Sequence, residues 1–256
     1  MLYPSLTYQK NNAILVIRLP LVKDRKEIGQ LSCELWDLCT DILLDPDIRV
    51  IILTGTEENS FSIDPEMADF GSEEEEDTEG IGQCLAEAIG RLDVPVIAAI
   101  QGDATGQGLE LALACDIRIA SEESRFGVTH IRKGIVPQDG GTQRLPRLVG
   151  RAKAMEMMLT GAIIEAREAF RIGLVNLVVP PEKLTETVSE MAKEMASKGP
   201  IAVRYAKEAI YKGMDMTLEQ GLRLEADLYL LLHTTRDRTE GIHAFRSKKT
   251  PRFKGE

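Results

Sequence analysis

Short strand-like apolar runs recur down this chain with stretches of helical period between them, and that alternation restricts the fold more than any other feature. The segments AILVIRL (13–19), RVIILTG (49–55), VPVIAAIQG (94–102) and DIRIA (116–120) look like buried strands. Between the first two, Ile28, Leu31, Leu35, Leu38 and Ile42 recur at spacings of 3 and 4, the single apolar stripe of an amphipathic helix. Strands that alternate with helices predict an α/β layout, mostly parallel, with right-handed crossovers. After about residue 181 the strand signals stop, and 182–197, 201–213, 217–232 and 238–246 all read as helices punctuated by Gly, Pro or Thr. The expected organisation is an α/β core over residues 1–190 followed by a helical C-terminal region over 191–256.

Composition narrows the class. With 256 residues, 43% hydrophobic and 28% charged, the chain can bury a sizeable core, which argues against disorder and coiled coil. A formal net charge of -10 offers no basic surface on which a phosphate backbone could displace its counterions, so nucleic acid is excluded as a partner. Cys33, Cys39, Cys84 and Cys115 form no CxxC pair and lie in apolar periodic segments, with no histidine at metal-ligand spacing. They read as reduced core residues of a cytoplasmic protein, and no metal is expected. The start MLYPSLTYQKNN lacks a basic stretch leading into an apolar run, and no segment reaches the length of a membrane span, so neither targeting nor a membrane is expected. The run GSEEEED (71–77), with five acidic side chains in succession, predicts a solvated loop, with a substrate-gating lid as the alternative.

Three stretches, IILTGTEENSFSIDPEM (51–67), PVIAAIQGDATGQGLELALACDIRIA (95–120) and FGVTHIRKGIVPQDGGTQRLPRLVG (126–150), resemble the crotonase (enoyl-CoA hydratase/isomerase) superfamily in content and order. The downstream pieces AMEMMLTG, EAREAFRIGLVNLVV and EGIHAFRSKKTPRFKG extend that resemblance over nearly the whole chain. It implies a spiral of β-β-α units, a helical C-terminal trimerisation region, and a homotrimer or dimer of trimers. It also implies an acyl-CoA-type small-molecule substrate, with coenzyme A present only as part of that substrate. The family's chemistry rests on two peptide N–H groups that hold a thioester or ketone oxygen while it becomes an enolate.

Here the resemblance meets departures. Ungapped matching puts the first N–H donor, in the loop FSIDPE, on Pro65, which has no N–H; either Glu66 serves instead or one donor is lost, with Ile63 lining the same loop. The second donor falls on Gln107, flanked by Gly106 and Gly108, which would let a substrate approach a helix N-terminus closely. Glu110 sits in an otherwise apolar helix, where an unpaired carboxylate is costly, and it matches the first hydratase glutamate. His130 stands where ordinary hydratases carry a second glutamate, and Asp139, which could equally be a turn former in PQDGGTQ, follows it by nine residues. That His–Asp spacing resembles the β-diketone hydrolase (6-oxocamphor hydrolase) branch, in which the aspartate orients the imidazole that activates water. For coenzyme A, the resemblance points to Lys23, Lys26, Tyr229 and Lys248, while RLPLVKDRKEIGQ lacks the family's usual adenine-wrapping pattern.

The sequence therefore leaves three outcomes: hydration of an acyl-CoA C=C bond, hydrolysis of a C–C bond in a β-diketone or cyclic β-ketoacyl-CoA through His130 and Asp139, or a catalytically silent homologue. A non-hydrolytic isomerase using Glu110 or His130 as a proton shuttle is a further variant. Leu109 and Val128 are expected beside the pocket.

Overall fold

The computed structural model describes residues 3–20, 22, 25–55, 61 and 84–256. Among the sequence expectations, those on Lys23, Ile63, Pro65, Glu66 and the acidic run 71–77 lie outside the described residues.

The main sheet has six strands: β1 (Thr7–Asn11), β2 (Ile14–Arg18), β3 (Val50–Thr54), β4 (Val96–Ile100), β6 (Ile117–Ser121) and β9 (Leu177–Val179), in that spatial order. Only the β1–β2 pair is antiparallel; every other pairing is parallel. A smaller sheet, β5 (Asp103–Thr105), β7 (Arg125–Gly127) and β8 (Ile163–Glu165), stands beside it. The parallel strands read as continuous apolar runs because both faces are covered. Alternate residues enter different cores: Ile51, Leu53, Val96, Ala98 and Ile100 join the larger cluster, whereas Val50, Ile52, Ile97 and Ala99 join a second one on the opposite face.

Helix α1 (Arg25–Leu44) supplies the larger core with the predicted stripe, and all five of Ile28, Leu31, Leu35, Leu38 and Ile42 are buried. Each such side chain contributes about 2 kcal/mol of apolar burial. The helices α2 (Leu85–Gly90), α3 (Gln107–Ala114), α4 (Gly141–Val149), α5 (Arg151–Thr160) and α6 (Ala166–Arg171) each bury residues in the same larger cluster. Helix α7 (Leu184–Ala196) closes the second core through Leu184, Val188 and Ala192, one residue per turn. The expected division at residue 190 falls inside α7. Beyond it come α8 (Pro200–Gly213), α9 (Leu218–Leu232) and α10 (Arg236–Arg246), within two residues of the sequence expectation at each end.

The cysteines depart from expectation in part: Cys39 and Cys115 are buried, but Cys84 is half-buried and Cys33 exposed, because Cys33 falls off the α1 stripe. All four are unpaired. Among the described residues no helix is long and apolar enough to cross a membrane.

Candidate active site

Three segments between residues 106 and 141 meet at the N-terminal end of α3. The β5 strand runs into Gly106, whose φ of 56 and ψ of -131 only glycine adopts readily, and α3 opens at Gln107 immediately after it. Three residues on, Glu110 faces the interior and is 1% exposed, with Leu109 and Gly108 also buried. The second segment is the short 3-10 turn Thr129–Lys133 after β7, which carries His130 inward at 9% exposure. The third is the Asp139-Gly140-Gly141 turn, in which Gly140 has a φ of 94 and starts α4.

The carboxylate of Glu110 is locked on one side and open on the other. Its Oε1 accepts from the backbone N–H of Asp139 at 2.9 Å and of Gly141 at 2.8 Å. Its Oε2 lies 3.1 Å from His130 Nε2. That approach is not an aligned hydrogen bond: Oε2, together with His130 Nδ1, is buried with no hydrogen-bond partner among the described residues. Buried polar atoms rarely remain unsatisfied in a resting fold, and such atoms concentrate where a ligand or water is handled. Gly141 is required by this geometry, since a Cβ there would stand 2.9 Å from Glu110 Oε1.

Asp139 belongs to the cluster but not in the expected manner. Its Oδ2 accepts from Ala86 N at 2.7 Å and lies 3.5 Å from Gln107 Nε2, so the expected Asp139–imidazole contact is not made. The physical reason is competition: α2 starts at Cys84 without a side-chain cap, and the free N–H of its first turn takes the carboxylate. Burial pushes the Asp139 carboxyl up to about 6, with the neighbouring Glu110 adding to the rise and the Ala86 N–H, Gln107 and Arg144 opposing it. Arg144 also donates to the Asp139 carbonyl at 2.8 Å.

Glu110, His130, Asp139, Gly106 and Gln107 therefore meet at one place, and Val128 is buried beside them in the core. Lys26 sits exposed in the first turn of α1, Tyr229 is exposed on α9 with an edge-on contact to His233, and Lys248 follows α10 at a φ of 53. Sequence reasoning missed Ala86, Gly141 and Arg144 as parts of the site. The only available signal was the Gly-Gly pair after Asp139, which announces a close backbone approach. Among the described residues no group of three or more His, Cys, Asp or Glu side chains could hold a metal ion.

The chain belongs to the enoyl-CoA hydratase/isomerase family, whose sequence profile covers residues 9–256. Crotonyl-CoA hydratase of Syntrophomonas wolfei subsp. wolfei is 37% identical over 257 residues, 99% of each chain. The (E)-benzylidenesuccinyl-CoA hydratase of Thauera aromatica is 39% identical over 234 residues, 88% of each. The crystal structure of enoyl-CoA hydratase from Bacillus anthracis superposes with a TM-score of 0.90 at 40% identity, covering 98% of this chain and 100% of that one.

Proposed function

We propose that this protein adds water across the C=C bond of an enoyl-CoA thioester, using Glu110 and His130 as its acid/base pair. The observation that carries this reading is the 3.1 Å separation of Glu110 Oε2 and His130 Nε2 in a buried site. In the forward direction His130 takes a proton from water as the water oxygen bonds to the β-carbon, and the displaced electron pair moves onto the thioester oxygen. The backbone N–H of Gln107, at the α3 N-terminus, stabilises that enolate. Glu110 then delivers a proton to the α-carbon. The proton left on the imidazole returns to Glu110 across their short separation, so one water is consumed and both groups are restored.

The C–C hydrolase reading depends on Asp139 holding the imidazole. Because the Asp139 carboxylate bonds to Ala86 N instead, Glu110 is the carboxylate beside His130, and hydration is the reading we adopt. By sequence position, Lys23 and Lys26 are assigned to the substrate's coenzyme A, Tyr229 and Lys248 to the coenzyme A of a neighbouring subunit, and Ile63, Pro65 and Glu66 to the oxyanion loop. No separate cofactor is assigned. The four unpaired cysteines support a reducing, cytoplasmic setting.

Assembly as a homotrimer, or as a dimer of trimers, is supported by the large apolar side chains that α8–α10 leave exposed, among them Ile210, Met214, Leu218 and Phe245. In oxygen-18 water with crotonyl-CoA, the label is expected in a new β-hydroxyl. Label in a new carboxylate from a β-diketone or cyclic β-ketoacyl-CoA, with no hydration of crotonyl-CoA, would overturn the proposal.

A further inference from the structure

The Asp139 carboxylate is spent on neither the imidazole nor solvent, and its contacts define a separate task. Through one residue, three helices touch. Oδ2 meets Ala86 N of α2 and Gln107 Nε2 of α3, the backbone N–H holds Glu110 Oε1, and the backbone carbonyl accepts from Arg144 of α4. Both α2 and α3 start without a side-chain cap of their own, at Cys84 and Gly106. A single carboxylate therefore serves the open start of α2 and reaches the side-chain amide of the first residue of α3.

We propose that Asp139 is a positioning residue whose ionised carboxylate clamps the starts of α2 and α3 together, keeping the Gln107 backbone N–H aimed at the thioester oxygen. The proposal rests on the hydratase reading for its effect on turnover, but not for the clamp itself. Charge is not needed merely to cap α2, since a neutral asparagine oxygen could accept the Ala86 N–H in the same place. A carboxylate kept there against its desolvation points to work that the cap alone does not require.

Protonation is the handle. The carboxyl titrates at about 6, and below that value it accepts both N–H groups more weakly. The charged or titratable neighbours that face it are Glu110 on α3, Arg144 on α4 and the Cys84 thiol ahead of α2; burial raises that thiol further from the same range. His130 lies one contact further away, across Glu110.

The chain has its own reporter. Its one tryptophan, Trp36, donates from Nε1 to the Cys84 carbonyl at 3.1 Å, directly at the α2 start, with the Arg91 guanidinium 4.7 Å over its ring. Trp36 emission should therefore titrate with a midpoint near 6 in the wild type, lose that transition in Asp139→Asn, and keep it in His130→Gln. Asp139→Asn should lower kcat for crotonyl-CoA hydration about tenfold with KM changed less than about twofold, as expected when a donor is misaimed rather than a binding contact removed. Gln107→Ala, which removes the second partner and leaves the carboxylate and its Ala86 contact in place, should lower kcat several-fold and keep the emission transition with its midpoint moved upward.

A wild-type emission flat from pH 5 to 8, or a transition that survives in Asp139→Asn, would sink the clamp, and the first of these needs no variant to fold. Unchanged kcat in both Asp139→Asn and Gln107→Ala would sever the clamp from catalysis. If the chain hydrates no enoyl thioester at all, the hydratase reading fails alone, because the emission arm still decides the clamp.

Discussion

Glu110 is 1% exposed and Phe245 is 86% exposed, so the α/β core buries a carboxylate while the C-terminal helices display a phenyl ring. The core can do this because the same protomer supplies every group around Glu110: two backbone N–H groups on one oxygen and the His130 imidazole beside the other. The α8–α10 region has no such internal partners. Helix α9 buries only Leu228, leaving Leu218, Leu222, Leu230 and Leu231 on the outside. A large apolar surface of this kind is stabilised only when something covers it. The contrast teaches that the surroundings of Glu110 are complete within one chain, whereas the C-terminal helices leave apolar surface that the chain itself does not cover.

The largest expected effect tests the first half of that comparison. Glu110→Gln keeps an oxygen for the two backbone N–H groups but abolishes proton transfer, so kcat should fall on the order of a thousandfold with little change in KM. Steady-state hydration kinetics check it, and a fall of less than tenfold would remove Glu110 from the chemistry.

The next effect is thermodynamic. Folded Asp139 holds its proton up to about pH 6, whereas an unfolded aspartate releases it near 3.8. Between those values the native state binds more protons than the unfolded one, so this residue makes stability fall as pH rises through that window and level off above it. The full difference is on the order of 3 kcal/mol. Denaturant unfolding of the wild type and Asp139→Asn at pH 5 and pH 8 should show the variant gaining relative stability at the higher pH. Equal differences at both pH values would mean that the carboxylate is not buried as described.

The smallest effect on the protomer tests the other half. Replacing both Leu218 and Phe245 by serine, at 79% and 86% exposure, should change the protomer's own stability by less than about 0.5 kcal/mol per site. Sedimentation should nonetheless show a shift toward monomer. An assembly of unchanged mass would show that these side chains are not what holds copies together.

Much of this protein is legible in its sequence, and the legible part is periodic. The α1 stripe, the apolar runs of β2, β3, β4 and β6, and the four C-terminal helices all announce themselves because burial of a repeating face is a local pattern. The short strands β5, β7 and β8 do not, since three residues hold no period and their pairing is decided at long range. Glu110, His130 and Asp139 could be chosen as site residues by type and position.

Their contacts could not. Sequence spacing suggested that Asp139 serves His130, but an unsatisfied N–H at the start of α2, 53 positions earlier in the chain, takes the carboxylate first. Sequence by itself determined the periodic strands and helices and brought Glu110, His130 and Asp139 forward as candidates, because side-chain type and period act locally. Tertiary structure alone decided that Glu110, not Asp139, stands beside the imidazole, because buried donors and acceptors pair according to proximity in space and not along the chain.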